Sequence, residues 1–316
     1  MEQRKGGGSA EEARVKALFI YPVKSCAGIS VSHAFISNRG FQWDRQWMVV
    51  NERGRFITQR QEPKMALVKV SLPPEVLHDS WGPLPKNAFL CVNAPGMQQL
   101  KVPLVPSAPL QKIDHVTVWG WSGPGLLEGP DATRWFTEYL GKPARLVRVD
   151  NGNMNRVSDP KYAAGFQTAF SDNFPFLMIS QASLDALNER LPNPIPINRF
   201  RPNIFIEGCE PFAEDTWDTL TIGKYNFHGV KLCPRCKITT TDQSTAEVGE
   251  EPLVTLRTFR AGPHLSSLHN MRNGAFFGQN LTCDESLLPH NGTHPILRVG
   301  DAIHVEKIAT VTEIMS

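Results

Sequence analysis

Leu232-Cys233-Pro234-Arg235-Cys236-Lys237 sets two thiols three positions apart with an arginine between them. Apolar alternation upstream predicts a strand over 226–232, so the motif falls at a strand exit. Thr239, Thr240, Thr241 and Asp242 follow. A guanidinium favours the charge of a neighbouring thiolate, which lowers the thiol pKa and raises nucleophilicity and metal affinity. Three chemistries use such a pair: a thioredoxin-like redox couple, half of a zinc site, or one cysteine ligating a soft metal. The rest of the chain has to choose among them.

A chain of 316 residues can build one large or two ordinary domains, and 41% hydrophobic with 20% charged residues reads as a globular protein. A formal net charge of +2 argues against nucleic acid or a membrane surface as partner, so any basic character is local. The first sixteen residues contain no apolar run, hence no secretory signal or membrane anchor is expected. Glu2, Glu11 and Glu12 argue against a mitochondrial transit peptide. Residues 1–13 are read as a disordered leader, and the expected location is soluble and cytoplasmic, with a mitochondrial alternative. Cysteines at 26, 91, 209, 233, 236 and 283 are irregularly spaced in a long chain without a signal, so reduced thiols are expected. The sequons at Asn280 and Asn291 carry no weight without secretion.

Short β-branched and aromatic runs bounded by Gly, Pro, Asn or Asp dominate. They predict strands over 15–21, 29–36, 46–50, 65–72, 89–92, 116–119 and 144–149. Further strands are expected over 176–179, 203–206, 219–222, 296–299 and 302–305, besides the one leading into the motif. Gly223-Lys224 and Gly300-Asp301 look like hairpin turns. Three helices are expected: one capped by Asp131 and stopped at Gly141, one over 180–191, and one over 251–260. The Pro-rich section 73–109 suits a long loop within a small β domain, and the polar run 150–165 suits a domain boundary. The fold class is mainly β, a β-barrel with a few helices; the lack of sustained strand–helix alternation argues against a doubly wound nucleotide fold.

Four separated stretches put a cation beside a small polar or turn residue: 21–28 with Lys24 and Ser25, 43–47 with Arg45, 198–203 with Arg199, Arg201 and Asn203, and 234–236 with Arg235. Cations at strand ends suit a phosphorylated ligand, and arginine adds a bidentate fork. Each one singly also suits a surface ion pair.

In combination these motifs resemble the MOSC proteins, and within them the eukaryotic amidoxime-reducing components. The resemblance runs from about Val15 to Val305. It rests on Tyr-Pro-Val-Lys-Ser-Cys at 21–26, Trp-Asp-Arg-x-Trp at 43–47, Arg-Gln-Glu-Pro at 60–63, Phe-Arg-Pro-Asn at 200–203, Cys-x-Arg-Cys at 233–236 and Phe-Gly-Gln-Asn at 277–280.

What the resemblance implies is a molybdenum–molybdopterin cofactor bound by a MOSC β-barrel domain, with an N-terminal MOSC-associated β domain inserted. The barrel would begin over 14–45, the N-terminal domain would occupy 46–149, and the MOSC domain 150–310. Cys236 stands where the family ligates molybdenum. Lys24, Ser25, Arg45, Arg201, Asn203 and Arg235 stand where it holds the pterin and its phosphate, and Asp172 matches a family acid near the cofactor. Three departures are visible: no N-terminal membrane anchor, Phe174 where some relatives carry a small or hydroxylated residue, and Pro234 where others carry serine. Pro234 removes a hydroxyl and an N–H donor.

Soft sulfur ligation of molybdenum needs only one protein thiolate, which leaves Cys233 adjacent and packed. A zinc site would need two more ligands, and His228 and Cys209 form no second pair. A thioredoxin-like dithiol would open a helix, whereas threonines follow here. His228, His264 and His269 are candidate proton donors, and Trp43 and Trp47 are candidates to frame the cofactor. Two functions follow. One is reduction of small N-hydroxylated compounds with electrons from cytochrome b5 and NADH-cytochrome b5 reductase, with nitrite reduction to nitric oxide as a side activity. The other is a cofactor carrier or maturation module, as in the MOSC end of molybdenum-cofactor sulfurases.

Overall fold

The computed structural model describes residues 12–78, 82–265, 274–287 and 294–316. The longest strand among the described residues organises it. Strand Tyr225–Arg235 pairs antiparallel with Ala275–Cys283 on one side and with Trp217–Ile222 on the other. Tyr225 and Phe227 point inward while Asn226 is exposed, the period of two expected of a half-buried strand. Ile222 lies opposite Tyr225, so Gly223-Lys224 is a two-residue hairpin turn.

The eight-stranded sheet runs, in spatial order, Ile303–Ile308, Trp217–Ile222, Tyr225–Arg235, Ala275–Cys283, Phe176–Ser180, Ile204–Glu207, Arg14–Ile20 and Ile29–Val31. The first strand of the chain is therefore built into a sheet made mostly by its second half. Phe176–Ser180 and Ile204–Glu207 are parallel neighbours, and the helix Gln181–Asn188 makes the crossover that a parallel pair requires. An isolated bridge, Arg14 to Ala302, links the next-to-last strand, Arg14–Ile20, to the residue before the strand at the opposite end, Ile303–Ile308.

A second, four-stranded sheet holds Trp47–Val50, Arg145–Val149, Trp121–Leu127 and Gln111–Val118, and a three-stranded one holds Lys69–Ser71, Phe89–Asn93 and Leu100–Pro103. The Pro-rich middle is thus folded around a small sheet. The main core joins Phe41, Phe176 and Phe227 edge to face, with centroids 4.9 and 5.6 Å apart. A separate core under the helices gathers Leu187, Phe200, Phe205 and Phe277.

The mainly β class holds, with differences in detail. The expected strand 65–72 opens as the 3-10 turn Pro63–Leu67, because Pro63 presets the turn and cannot donate to a ladder. The expected strand 29–36 breaks into Ile29–Val31 and His33–Ser37. Trp121–Leu127 and Ala275–Cys283 escaped prediction because their glycines, proline and buried Gln279 hide the alternation. Asp131 is not a cap: Gly129 holds that position, Pro130 follows it, and Asp131 pairs with Arg134. Gly300-Asp301 is no hairpin turn, since Ile296–Arg298 pairs with His33–Ser37 and Ile303–Ile308 with Trp217–Ile222.

Candidate functional site

The strand Tyr225–Arg235 runs on through the thiol motif instead of ending before it. Its register shifts between Leu232 and Pro234, and a proline inside a paired strand is tolerated at such an irregularity because it has no N–H to offer. Leu232 N–H donates instead to Met315 Sδ at 3.3 Å, from the C-terminal helix Val311–Met315. Arg235 then ties the strand end across the sheet. Its Nη2 donates to Phe200 O at 2.6 Å and its Nη1 to Cys233 Sγ at 2.9 Å. Cys236 is extended and leads into a single 3-10 turn, Lys237–Thr240.

Cys233 corrects a simple expectation. Burial raises its thiol pKa, and the adjacent Arg235 charge does not overcome it. Cys236 has a different cationic neighbour: Arg60 Nη1 donates to its sulfur at 3.6 Å.

The anion-binding side is assembled from the first strand's exit and the segment before Ile204. Tyr21 is its pivot. The guanidinium carbons of Arg45 and Arg201 lie 4.2 and 4.3 Å from the Tyr21 ring centroid, and the phenol donates to Pro202 O at 3.1 Å. Gly28 closes against the same ring, where a Cβ would come within 2.5 Å of Tyr21 Cε1. Arg45 is neutralised by Asp44, with Nη1 2.6 Å from Oδ2, and also reaches Asn203 Oδ1 at 3.2 Å. Arg201 has no such carboxylate, and its buried Nη2 has no hydrogen-bond partner among the described residues. Burial pulls its pKa down to about 10, which leaves it charged at neutral pH. An orphaned guanidinium nitrogen costs stability unless a ligand completes it.

Lys24 is buried, and its ammonium donates to Phe170 O at 2.8 Å and Asp172 Oδ1 at 2.5 Å. Desolvation lowers its pKa to about 8 despite the Asp172 charge. The Asp172 side chain is 54% exposed. Burial would raise its pKa, but Lys24, the Trp119 indole N–H at 3.1 Å and Arg60 together hold it well below the usual carboxylate range. Arg156, buried beneath, donates to the carbonyls of Ala169, Ser171 and Asp172 and so shapes this loop.

One cavity takes in Lys24, Ser25, Arg45, Asp172, Arg201, Asn203, Arg235 and Cys236 together, so the eight residues that the resemblance assigns to the cofactor meet there, whereas Arg199 pairs with Asp242 outside it. Cys233, Pro234 and Phe174 line it too. Ser25, Arg45 and Arg201 all have left-handed backbones, with φ of 67, 48 and 57°, as does Trp119 at 54°. Strain of this kind, of order 1–3 kcal/mol per residue, collects where a site demands a particular side-chain direction.

Sequence reasoning quoted Arg60 and Tyr21 within motifs but gave neither a role, and it missed Trp119 and Arg156. No local pattern marks them. Trp43 and Trp47 do not frame the cavity: they stack on each other at 6.1 Å, and Trp47 is core, its indole donating to Glu128 at 2.6 Å. His228 pairs with Asp284 at 2.9 Å, and neither it nor His264 lines the cavity. His269 and the Asn291 sequon lie outside the described residues. Among the described residues no group of three or more His, Cys, Asp and Glu is placed to hold a metal ion.

Two family models match the chain: the MOSC N-terminal beta barrel domain over residues 12–143 and the MOSC domain over 166–304. Mitochondrial amidoxime reducing component 2 of Rattus norvegicus is 36% identical over 303 residues, covering 92% of this chain and 82% of that protein. Mitochondrial amidoxime-reducing component 1 of Xenopus laevis is 34% identical over 320 residues, covering 95% and 85%. Molybdenum cofactor sulfurase of Danio rerio is 33% identical over 317 residues, covering 94% of this chain but 34% of that protein.

Proposed function

The chain belongs to the MOSC family, alongside the amidoxime-reducing components, and on that premise we propose that it is a molybdenum-cofactor-dependent reductase of N-hydroxylated compounds. The observation that carries the reading is the convergence of a partly exposed thiol, Cys236, with Lys24, Arg45, Arg201 and Arg235 in one cavity. The donor set fits the cofactor at both ends. Arg201 brings an uncompleted buried donor suited to a phosphate oxygen, and Cys236 brings one soft sulfur suited to molybdenum.

Lys24, Ser25, Arg45, Arg201, Asn203 and Arg235 would hold the pterin and its phosphate, and Cys236 would ligate the metal. When bound, the cofactor supplies a two-electron couple and an acceptor for the substrate oxygen. The reaction consumes an amidoxime or hydroxylamine, two electrons and two protons; the N–O bond breaks, and the amidine or amine leaves with one water. Asp172, kept ionised, accepts hydrogen bonds at the cavity mouth and does not serve as the acid at neutral pH. Electrons would come singly from cytochrome b5 and its NADH-dependent reductase, and nitrite would be a second substrate.

The same reading divides the chain into a first barrel segment over 14–45, an N-terminal domain over 46–149 and a MOSC domain over 150–310. The place of Arg14–Ile20 in the large sheet supports the first boundary. Among the described residues no helix is long and apolar enough to cross a membrane. The relatives' names favour the mitochondrial over the cytoplasmic location.

A second reading, a cofactor carrier or maturation module, is favoured by the sulfurase match, of which this chain spans about a third. Molybdenum and pterin analysis of the purified protein, followed by benzamidoxime turnover with reconstituted cytochrome b5 and its reductase, separates the two. Cofactor with turnover supports the reductase. Cofactor without turnover, using several electron donors, supports the carrier, and no cofactor overturns both.

A further inference from the structure

Arg60 differs from the other cations of the cavity in where it comes from and what it touches. It follows Trp47–Val50 in a tight turn, in which Thr58 N and Oγ1 donate to Gln61 Oε1 at 2.9 and 2.7 Å. Its guanidinium carbon lies 4.1 Å from the centroid of the Trp119 ring. Trp119 joins Gln111–Val118 to Trp121–Leu127 in a left-handed conformation, with its ring 5.4 Å from Phe56 and its indole N–H on Asp172. A cation over an indole is attracted to the ring face, which orders a long side chain without using up its N–H edge. Among the described residues Arg60 has no ion pair within salt-bridge distance, and its Nη1 donates to Cys236 Sγ.

The geometry points to Arg60 as a positioning residue for the Cys236 sulfur, carried to the cavity by the four-stranded sheet and held there by Trp119. This rests on the molybdenum reading above. A donor to a ligating atom orients that atom and offsets its negative charge, and loss of such a partner typically costs 10–100-fold in metal affinity. Arg60 acts at the sulfur end, while Lys24, Arg45 and Arg201 serve the anionic end. The sheet that lies outside the thiol-bearing one thereby completes the site instead of only packing beside it.

The test compares Arg60→Met, Arg60→Lys and Trp119→Ala, produced in cells that make the cofactor, by metal and pterin content and by the electron paramagnetic resonance spectrum of the one-electron-reduced metal. Arg60→Met should keep its pterin but retain about ten-fold less molybdenum against a chelator, with a shifted spectrum. Arg60→Lys should recover part of both, and Trp119→Ala should move the spectrum in the same direction by less. Parental retention and spectrum in Arg60→Met would overturn the inference. Should that variant fail to fold by circular dichroism, Trp119→Ala decides: a shifted spectrum supports the role and a parental one overturns it. A parent without molybdenum overturns the proposed function itself, an outcome distinct from a loaded parent indistinguishable from its variants.

Discussion

Lys24 and Asp172 form an ion pair 2.5 Å long that joins the exit of the first strand to a loop nearly half the chain away. The lysine is almost fully covered, while the aspartate is 54% exposed, so the two ends of the pair feel different solvents. Desolvation dominates at Lys24 and brings it to about 8 from an ordinary 10.5.

That displacement has a sign that can be measured. Below about pH 8 both folded and unfolded chains keep the Lys24 proton, and between about 8 and 10.5 only the unfolded chain does. Stability contributed by this site therefore rises with pH across that window, by about 3 kcal/mol in total. Denaturation midpoints followed through the window should show this slope in the parent and lose it in Lys24→Met. Equal slopes would place Lys24 at an ordinary pKa.

Arg201 combines charge and backbone strain, and two substitutions pull them apart. Arg201→Gly and Arg201→Ala both remove the cation, so both should lose pterin retention. At φ 57° only glycine escapes the Cβ penalty, so Arg201→Gly should be the more stable of the two by about 1 kcal/mol. Chemical denaturation and pterin analysis of the pair would check this, and an alanine variant as stable as the glycine would refute the strain.

Arg156 reaches three loop carbonyls from a buried position. Arg156→Leu should destabilise the fold by about 2–5 kcal/mol, since those carbonyls lose their donor without gaining water. Urea titration gives the magnitude. A change below about 1 kcal/mol would mean that solvent reaches the loop.

The two thiols should behave differently. Cys236→Ser should abolish molybdenum retention and N-reductive turnover, whereas Cys233→Ser should keep most of both. Similar behaviour of the two variants would mean that the ligand is assigned to the wrong sulfur.

Much of this molecule is legible along the chain. Alternation predicts most strands, Gly223-Lys224 predicts its hairpin, and the four cationic stretches are visible as residue types at strand ends. These signals are local, set by side-chain period and turn chemistry within a few residues. Where glycine, proline or a buried polar residue interrupts the period, as in Ala275–Cys283, the strand disappears from view although its pairing is intact.

By itself, the sequence determined the β-rich class, the thiol motif and the set of cations available to an anion. Tertiary structure alone decided that Trp47 is core, that Tyr21 carries two guanidiniums, and that Arg60 and Trp119 arrive beside Cys236 and Asp172 from a different sheet. The physical reason is direction. A residue's type is written in the chain, but where its side chain points depends on left-handed backbone turns and on neighbours more than a hundred residues away, and no local period encodes either.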